Sequence, residues 1–242
     1  MQASNQLLGS QPSQANNNND SSGSNASTSS NNVTFVELEL EIDSLVIGER
    51  IKGGTFRPCI ETIPSTTIEG ALREYFGIDV HAVGRLDEGT YEIDEIVYAV
   101  TDRYLATSKV PITTQYLKPK NGKKIKATIY IPMSSLNGRG MITKRLTGSR
   151  FMLGALKSKG FGRSKITSTK ECTYNIRQGV LAVRLLKDEC PSFGIEIIAA
   201  RYGYLFKQDT NGKGVYKISL FEGSIVKAPY ILLKRVIDHD NQ

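Results

Sequence analysis

Apolar and polar residues alternate along the first patterned stretch of the chain. From Val36 to Ile42 every second residue is aliphatic, and the residues between them are glutamates. Successive side chains of a β-strand point to opposite faces, so this alternation predicts a strand with one buried and one solvated face.

The spacing becomes helical over residues 63–77. Thr66 and Glu69 have the spacing of a capping box, and Gly77 suits the left-handed residue that ends a helix. The predicted apolar stripe consists of Ile68, Ala71, Leu72, Tyr75 and Phe76. Free N–H groups and hydroxyls at the helix start would suit a phosphate, with ordinary helix capping as the alternative.

Most of the remaining chain has the composition of β-strands. Asn121-Gly122 and Asn211-Gly212 predict two hairpin turns. One further short helix is predicted to begin at Ser149 and to bury Phe151, Met152, Ala155 and Leu156. This order predicts an α+β fold with a helix-covered, mostly antiparallel sheet, for which the split βαβ, ferredoxin-like plan is the commonest solution.

Composition separates a tail from the rest of the chain. Residues 1–32 are almost entirely Asn, Ser, Gln, Gly and Thr, so we expect a disordered tail followed by a single domain over 33–242. The tail lacks the features of a secretory signal, and no apolar run approaches the length of a membrane span. Three cysteines without CxxC spacing indicate neither a disulfide framework nor a zinc site, which favours a reducing, cytoplasmic setting.

Charge is distributed very unevenly. Residues 103–170 contain 16 Lys and Arg and no acid, whereas residues 1–102 contain 16 Asp and Glu and 5 Lys and Arg. The cations of this basic insertion must pair with remote acids, stay solvated, or meet a polyanion. We predict that they bind nucleic acid.

A loop at 157–165 is the best candidate for the contact. It has the sequence Lys-Ser-Lys-Gly-Phe-Gly-Arg-Ser-Lys, in which the glycines would let a ligand approach the backbone. Its cations would hold phosphates, and the ring of Phe161 would stack on a base. A simple turn between two strands is the alternative.

Two of these segments resemble a known family. Pro64-Ser65 followed by Gly70-Ala71-Leu72-Arg73 is similar to the helix start of the CRISPR-associated RAMP superfamily, and residues 153–165 are similar to its glycine-rich loop. Residues 98–114 and 221–226 resemble further segments of the Cas-five-type subunits, which cap the guide RNA in type III complexes. The chain departs from two-domain members of that group because it is short and has no second glycine-rich loop.

The resemblance implies an RRM-like RAMP palm with β-hairpin insertions and no cofactor or metal. It implies a non-catalytic subunit that holds the 5′ tag of the crRNA and contacts the large signalling subunit and the backbone subunits, with target RNA met only indirectly. The residues expected at the RNA are Ser65, Thr66, Thr67, Arg73, Arg139, Lys144, Arg145, Arg150, Lys157, Lys159, Gly160, Phe161, Gly162, Arg163, Ser164 and Lys165.

Three alternatives remain open at this point. Asp102 would cut target RNA with a metal if the chain were a backbone subunit, although an ion pair with Arg103 or another neighbouring base is the favoured explanation. His81 would serve a metal-independent endoribonuclease that processes crRNA, although a structural role is the ordinary one for such a histidine. A purely structural subunit would instead cover the basic insertion with an acidic partner.

Overall fold

The structure is a computed structural model that describes residues 32–48, 54–99, 104, 107, 110–136, 146–208 and 213–237. Some predictions fall outside the described residues. They concern nearly all of the tail, the turn at 211–212, Asp102, and the predicted RNA-binding residues Arg139, Lys144 and Arg145.

One α-helix, five short 3-10 helices and fourteen strands are present in the described residues. The helix α1 is Ser65–Phe76. The strands are β1 Asn32–Ile42, β2 Phe56–Arg57, β3 Val83–Leu86, β4 Tyr91–Tyr98, β5 Ile112–Pro119, β6 Ile125–Pro132, β7 Arg150–Met152, β8 Arg163–Leu181, β9 Leu185–Leu186, β10 Glu196–Ala199, β11 Tyr202–Gln208, β12 Gly214–Leu220, β13 Ile225–Pro229 and β14 Leu233–Val236.

The strands form one large and two small sheets. The large sheet has the order β10-β13-β8-β1-β6-β3, with β7 and β14 also paired to β8, and all of its pairs are antiparallel. The small sheets are β11-β12-β9 and β2-β5-β4. The predicted mixed α+β class with a mostly antiparallel sheet is therefore confirmed.

Strand β1 lies at the centre of the large sheet and follows its sequence pattern. Its aliphatic residues Val36, Leu38, Leu40 and Ile42 are buried in one core with Ile68 and Leu72 of α1. Its glutamates project from the other face. The alternation alone therefore indicated which side of β1 the helix covers.

The end of α1 is as predicted, but its beginning is not. Gly77 adopts φ 64° and closes the helix with its N–H bonded to the Arg73 and Leu72 carbonyls. The N-cap is Pro64, and no side chain caps the helix, so the predicted capping box is wrong. The Ser65 N–H instead donates to the Arg184 carbonyl at 2.9 Å, and Glu69 pairs with Lys207, so tertiary partners replace the local ones.

The short helix predicted at Ser149 is also wrong. Arg150–Met152 forms strand β7, which pairs with β8 so that Arg150 lies opposite Lys165. Phe151 is buried, as predicted, and packs edge-on against Phe76 at 5.7 Å between ring centroids. Pairing with β8 and burial of one aromatic ring override the local helical spacing.

Among the described residues, no helix combines the length and apolar character that crossing a bilayer requires.

Candidate nucleic-acid interface

The glycine-rich loop is a tightly built turn. Gly160 and Gly162 both have positive φ, of 92° and 83°. A Cβ on Gly162 would lie 1.9 Å from the Leu153 carbonyl oxygen, whereas a Cβ on Gly160 would have no atom within 4 Å. Gly162 is therefore required by the packing of the chain itself, and Gly160 leaves open space at the surface.

Two predicted contact residues of this loop face inward. Phe161 is only 8% exposed and packs edge-on against Tyr116 at 5.0 Å. Ser164 is buried, and its hydroxyl donates to the Gly162 carbonyl at 3.0 Å. The expectation that Phe161 offers a free stacking face is wrong, because the ring closes the core beneath the loop.

A cleft of about 960 Å³ runs along the exposed side of α1. We call it the α1 cleft. Its walls are the α1 residues Thr66, Thr67, Gly70 and Arg73, the loop 154–157, and one edge of β11. Among the described strands, β11 pairs only with β12, so its other edge has no described partner strand. The α1 cleft therefore brings together the helix start and part of the glycine-rich loop, the two segments that carried the sequence prediction.

The start of α1 presents unused polar groups to this cleft. The hydroxyls of Thr66 and Thr67 form no hydrogen bond with a described residue, and the Thr66 N–H has no backbone acceptor among them. Ser65 does not contribute, since it is fully buried. A helix N-terminus with free donors favours an anion such as a phosphate.

Gly70 keeps the middle of the α1 cleft open. It lies inside α1, where glycine destabilises a helix by about 1 kcal/mol relative to alanine. A Cβ at this position would have no heavy atom within 4 Å, so packing within the described chain does not require glycine. The missing side chain lets a ligand approach the helix backbone.

Each cation of the α1 cleft has an acidic partner. Lys157 Nζ lies 2.7 Å from Glu74 Oε2, and Arg73 Nε lies 3.8 Å from Asp79 Oδ1. Arg184, which also lines the cleft, binds Glu222. The pairs of Lys157 and Arg73 are solvent-exposed, and such pairs contribute little to stability, so both cations can exchange a carboxylate for a phosphate.

A buried ionic network fastens α1 beneath the cleft. Glu69 and Glu189 are 2% and 1% exposed, and Lys207 Nζ lies 2.9 Å and 3.4 Å from their carboxylates. His81 Nδ1 lies 3.5 Å from Glu69 and 3.7 Å from Glu189. Attraction to Glu189 and then to Glu69 raises the pKa of His81 to about 10, so the imidazole is protonated at neutral pH.

The same network contains the only metal-type cluster among the residues that the structure describes. Ligand atoms of Glu69, His81 and Glu189 lie within 4.8 Å of one another. The ammonium group of Lys207 already supplies positive charge to both carboxylates. The arrangement serves to neutralise two buried acids and to connect α1 with β11.

A second surface lies on the other face of the large sheet. Arg163 and Lys165 alternate along β8 with buried Ser164 and Ile166, and Ile166 packs in the α1 core. Register places Arg150 beside Lys165, Lys165 beside Glu41, and Glu41 beside Lys126. Lys124 lies on the same surface, and its Nζ is 2.5 Å from Asp43 Oδ1. We call this surface the basic patch. It contains two acids, Glu41 and Asp43, and five cations: Lys124, Lys126, Arg150, Arg163 and Lys165.

The described cations of the basic insertion do not form one continuous surface. Four of them form ion pairs with acids from residues 37–94, which lie outside the insertion in the sequence. These cations are Lys118, Lys124, Lys157 and Lys170. Lys159 leaves the loop in another direction and lies over the ring of Tyr98, with Nζ 4.8 Å from the centroid. Arg150, Arg163 and Lys165 have no ion pair with any described residue.

The structure thus places the predicted site residues in two groups. Thr66, Thr67, Arg73 and Lys157 line the α1 cleft, and Arg150, Arg163 and Lys165 lie in the basic patch. The loop from Gly154 to Lys165 connects them, because its first residues line the cleft and its last lie in the patch.

Sequence reasoning missed the far wall of the cleft. Tyr204, Phe206 and Tyr216 line it from β11 and β12. Tyr202, Tyr204 and Phe206 recur at every second position, so an uncharged strand face was visible in the sequence. Nothing local indicated that β11 borders α1.

Comparison with known proteins bears on the fold. No protein-family model matches this chain, and no curated protein matches it. The chain is similar to one in the cryo-EM structure of the type III-B Cmr-beta bound to cognate target RNA, with a TM-score of 0.52, 11% identity, and coverage of 79% of this chain and 86% of that chain. This likeness shows a shared fold.

Two further solved structures have lower TM-scores. A chain of the Cmr-beta complex bound to cognate target RNA and AMPPnP gives 0.49, with 12% identity and coverage of 79% of this chain and 86% of that one. A CRISPR protein from Archaeoglobus fulgidus gives 0.37, with 12% identity and coverage of 81% and 92%. We draw no conclusion from these two.

Proposed function

We propose that this protein is a non-catalytic, guide-RNA-binding subunit of a type III CRISPR complex, built on a ferredoxin-like RAMP palm. It holds the 5′ tag of the crRNA and joins the large subunit to the backbone subunits. The shared fold with a chain of the Cmr-beta complex supports membership of such an assembly. The sheet order β8-β1-β6-β3, with α1 crossing between β1 and β3, supports the ferredoxin-like plan.

The observation that carries the proposal is the course of the segment Gly154–Lys165. It runs from the α1 cleft to the basic patch and ends in the first residues of β8. The cleft offers hydroxyls and a helix N-terminus, and the patch offers Arg150, Arg163 and Lys165, which have no ion pair with a described residue. A flexible single strand can follow this loop and place phosphates at both ends.

His81 supports the non-catalytic assignment. A general base must be neutral at the working pH, and the pKa of His81 is raised to about 10. Its position between Glu69 and Glu189 supports a structural role in fastening α1.

Arg163→Ala tests the RNA contact in the basic patch. Loss of one phosphate contact is expected to weaken crRNA binding and to flatten the slope of log affinity against log salt by about 0.7. The measurement is a fluorescence anisotropy titration of the purified protein with labelled crRNA at several salt concentrations.

Lys234→Ala is the matched control. It removes the same charge at β14, which pairs with the opposite end of β8 near Val180. An unchanged slope is expected for this control. Equal slopes for Arg163→Ala and the unsubstituted protein would remove Arg163 from the RNA interface.

A further inference from the structure

The β11–β12 hairpin presents an uncharged aromatic face. Paired residues of an antiparallel ladder share a face, and the register pairs Tyr204 with Ile218 and Phe206 with Tyr216. Tyr202, Tyr204, Tyr216 and Ile218 are 53%, 65%, 56% and 51% exposed. The charged residues Lys207 and Lys217 project from the other face, where they pair with Glu69 and Asp188. Several large exposed rings on one face indicate a binding surface.

Phe206 and Tyr216, which both line the cleft, are held in place by packing. A Cβ on Gly214 would lie 1.8 Å from the Phe206 ring, so this ring lies flat across the glycine of the neighbouring strand. Tyr216 packs edge-on against Phe206 at 5.5 Å between centroids. Tyr204 has no hydrogen bond or ring contact with a described residue, so its ring is available for a ligand. Fixed aromatic rings lose little conformational entropy when they bind.

The position of these rings indicates the ligand. Tyr204, Phe206 and Tyr216 line the same cleft as Thr66, Thr67 and Gly70. The lining of this cleft therefore includes donors for a phosphate at the start of α1 and aromatic rings on β11 and β12. An unpaired nucleotide has a phosphate at one end and a flat base at the other, and aromatic side chains bind single strands by stacking on their bases.

We propose that Tyr204 and Tyr216 form a base-stacking wall, on which unpaired bases of the RNA lie while its phosphates meet the start of α1. This inference rests on the proposed function and adds to it the part of the RNA that the hairpin recognises. Stacking tolerates any base, so the wall binds single-stranded RNA without reading its sequence. This wall takes the stacking role that the sequence analysis expected of Phe161, whose ring is buried.

The test compares two ligands with equal charge. One is an unstructured RNA strand, and the other is the same strand with abasic riboses in place of its bases. Stacking contributes about 1–3 kcal/mol per base, so the unsubstituted protein should bind the base-containing strand at least about tenfold more tightly. The double variant Tyr204→Leu/Tyr216→Leu should lose this preference and keep its affinity for the abasic strand.

Two control variants separate stacking from folding. Tyr204→Phe keeps the ring and should keep the preference. Tyr202→Leu changes a tyrosine on the same strand and face that does not line the cleft, and it should also keep the preference. All these side chains are exposed, so the midpoint of thermal unfolding should change little.

Each outcome decides between the two proposals. Equal affinity of the unsubstituted protein for both strands would overturn the stacking wall and leave the proposed function intact. A full preference in the double variant would also overturn it. If the double variant loses only a co-purifying protein, the face is a protein-docking surface and the stacking proposal is wrong. No affinity for either strand would overturn the proposed function as well.

Discussion

Gly70→Leu is expected to reduce the affinity for single-stranded RNA by at least about tenfold, which corresponds to about 1.4 kcal/mol. The leucine side chain would extend from α1 into the cleft, where a Cβ has no neighbour within 4 Å. It would occupy the space through which the strand reaches Thr66 and Thr67. Fluorescence anisotropy with a labelled RNA strand measures the loss.

The same substitution is expected to stabilise the fold. Leucine favours a helix by up to about 0.8 kcal/mol over glycine, and a Cβ at this position meets no heavy atom outside the helix backbone within 4 Å. Gly70→Ala is the graded control, with a similar gain in stability and a smaller loss of affinity. Chemical denaturation measures the free energy of unfolding. Unchanged RNA affinity in a folded Gly70→Leu protein would contradict binding in the α1 cleft.

Gly162→Ala is expected to lower the free energy of unfolding by at least about 3 kcal/mol. The new Cβ would meet the Leu153 carbonyl oxygen at 1.9 Å, and the residue has φ 83°. Relief of the clash would move the Gly162 N–H away from the Ser44 carbonyl, to which it donates at 2.7 Å. The variant should therefore unfold at a clearly lower concentration of denaturant.

Gly160→Ala separates strain from packing. Its φ of 92° resembles that of Gly162, but a Cβ there would have no neighbour within 4 Å. Only the cost of the left-handed conformation remains, about 1 kcal/mol. Equal losses for the two variants would show that the Leu153 contact does not define the loop.

The sequence indicated those features that depend on neighbouring residues. The alternation over Val36–Ile42 identified β1 and its buried face, and Gly77 marked the end of α1. Both follow from backbone geometry within a few residues, so a local pattern is sufficient to predict them.

The wrong predictions involve partners that are distant in sequence. The Ser65 N–H bonds to the Arg184 carbonyl, and β7 forms because Arg150–Met152 pairs with β8. Phe161 is buried because Tyr116 lies beneath it. Local spacing carries no information about these contacts.

The candidate site was predictable in part. Thr66, Thr67, Arg73 and Lys157 do meet at one cleft, because the large sheet brings the helix start and the glycine-rich loop together. The charge counts could not reveal that Arg150, Arg163 and Lys165 lie on the opposite face. The face on which a cation of β7 or β8 lies depends on the alternation of exposed and buried residues along these strands.

Ultraviolet cross-linking of the purified protein to bound crRNA, followed by mass spectrometry of the modified peptides, tests the central claim most directly. Nucleotide adducts are predicted within the loop 154–165 and on β11, at Tyr204 above all. Adducts confined to surfaces outside the α1 cleft and the basic patch would contradict it.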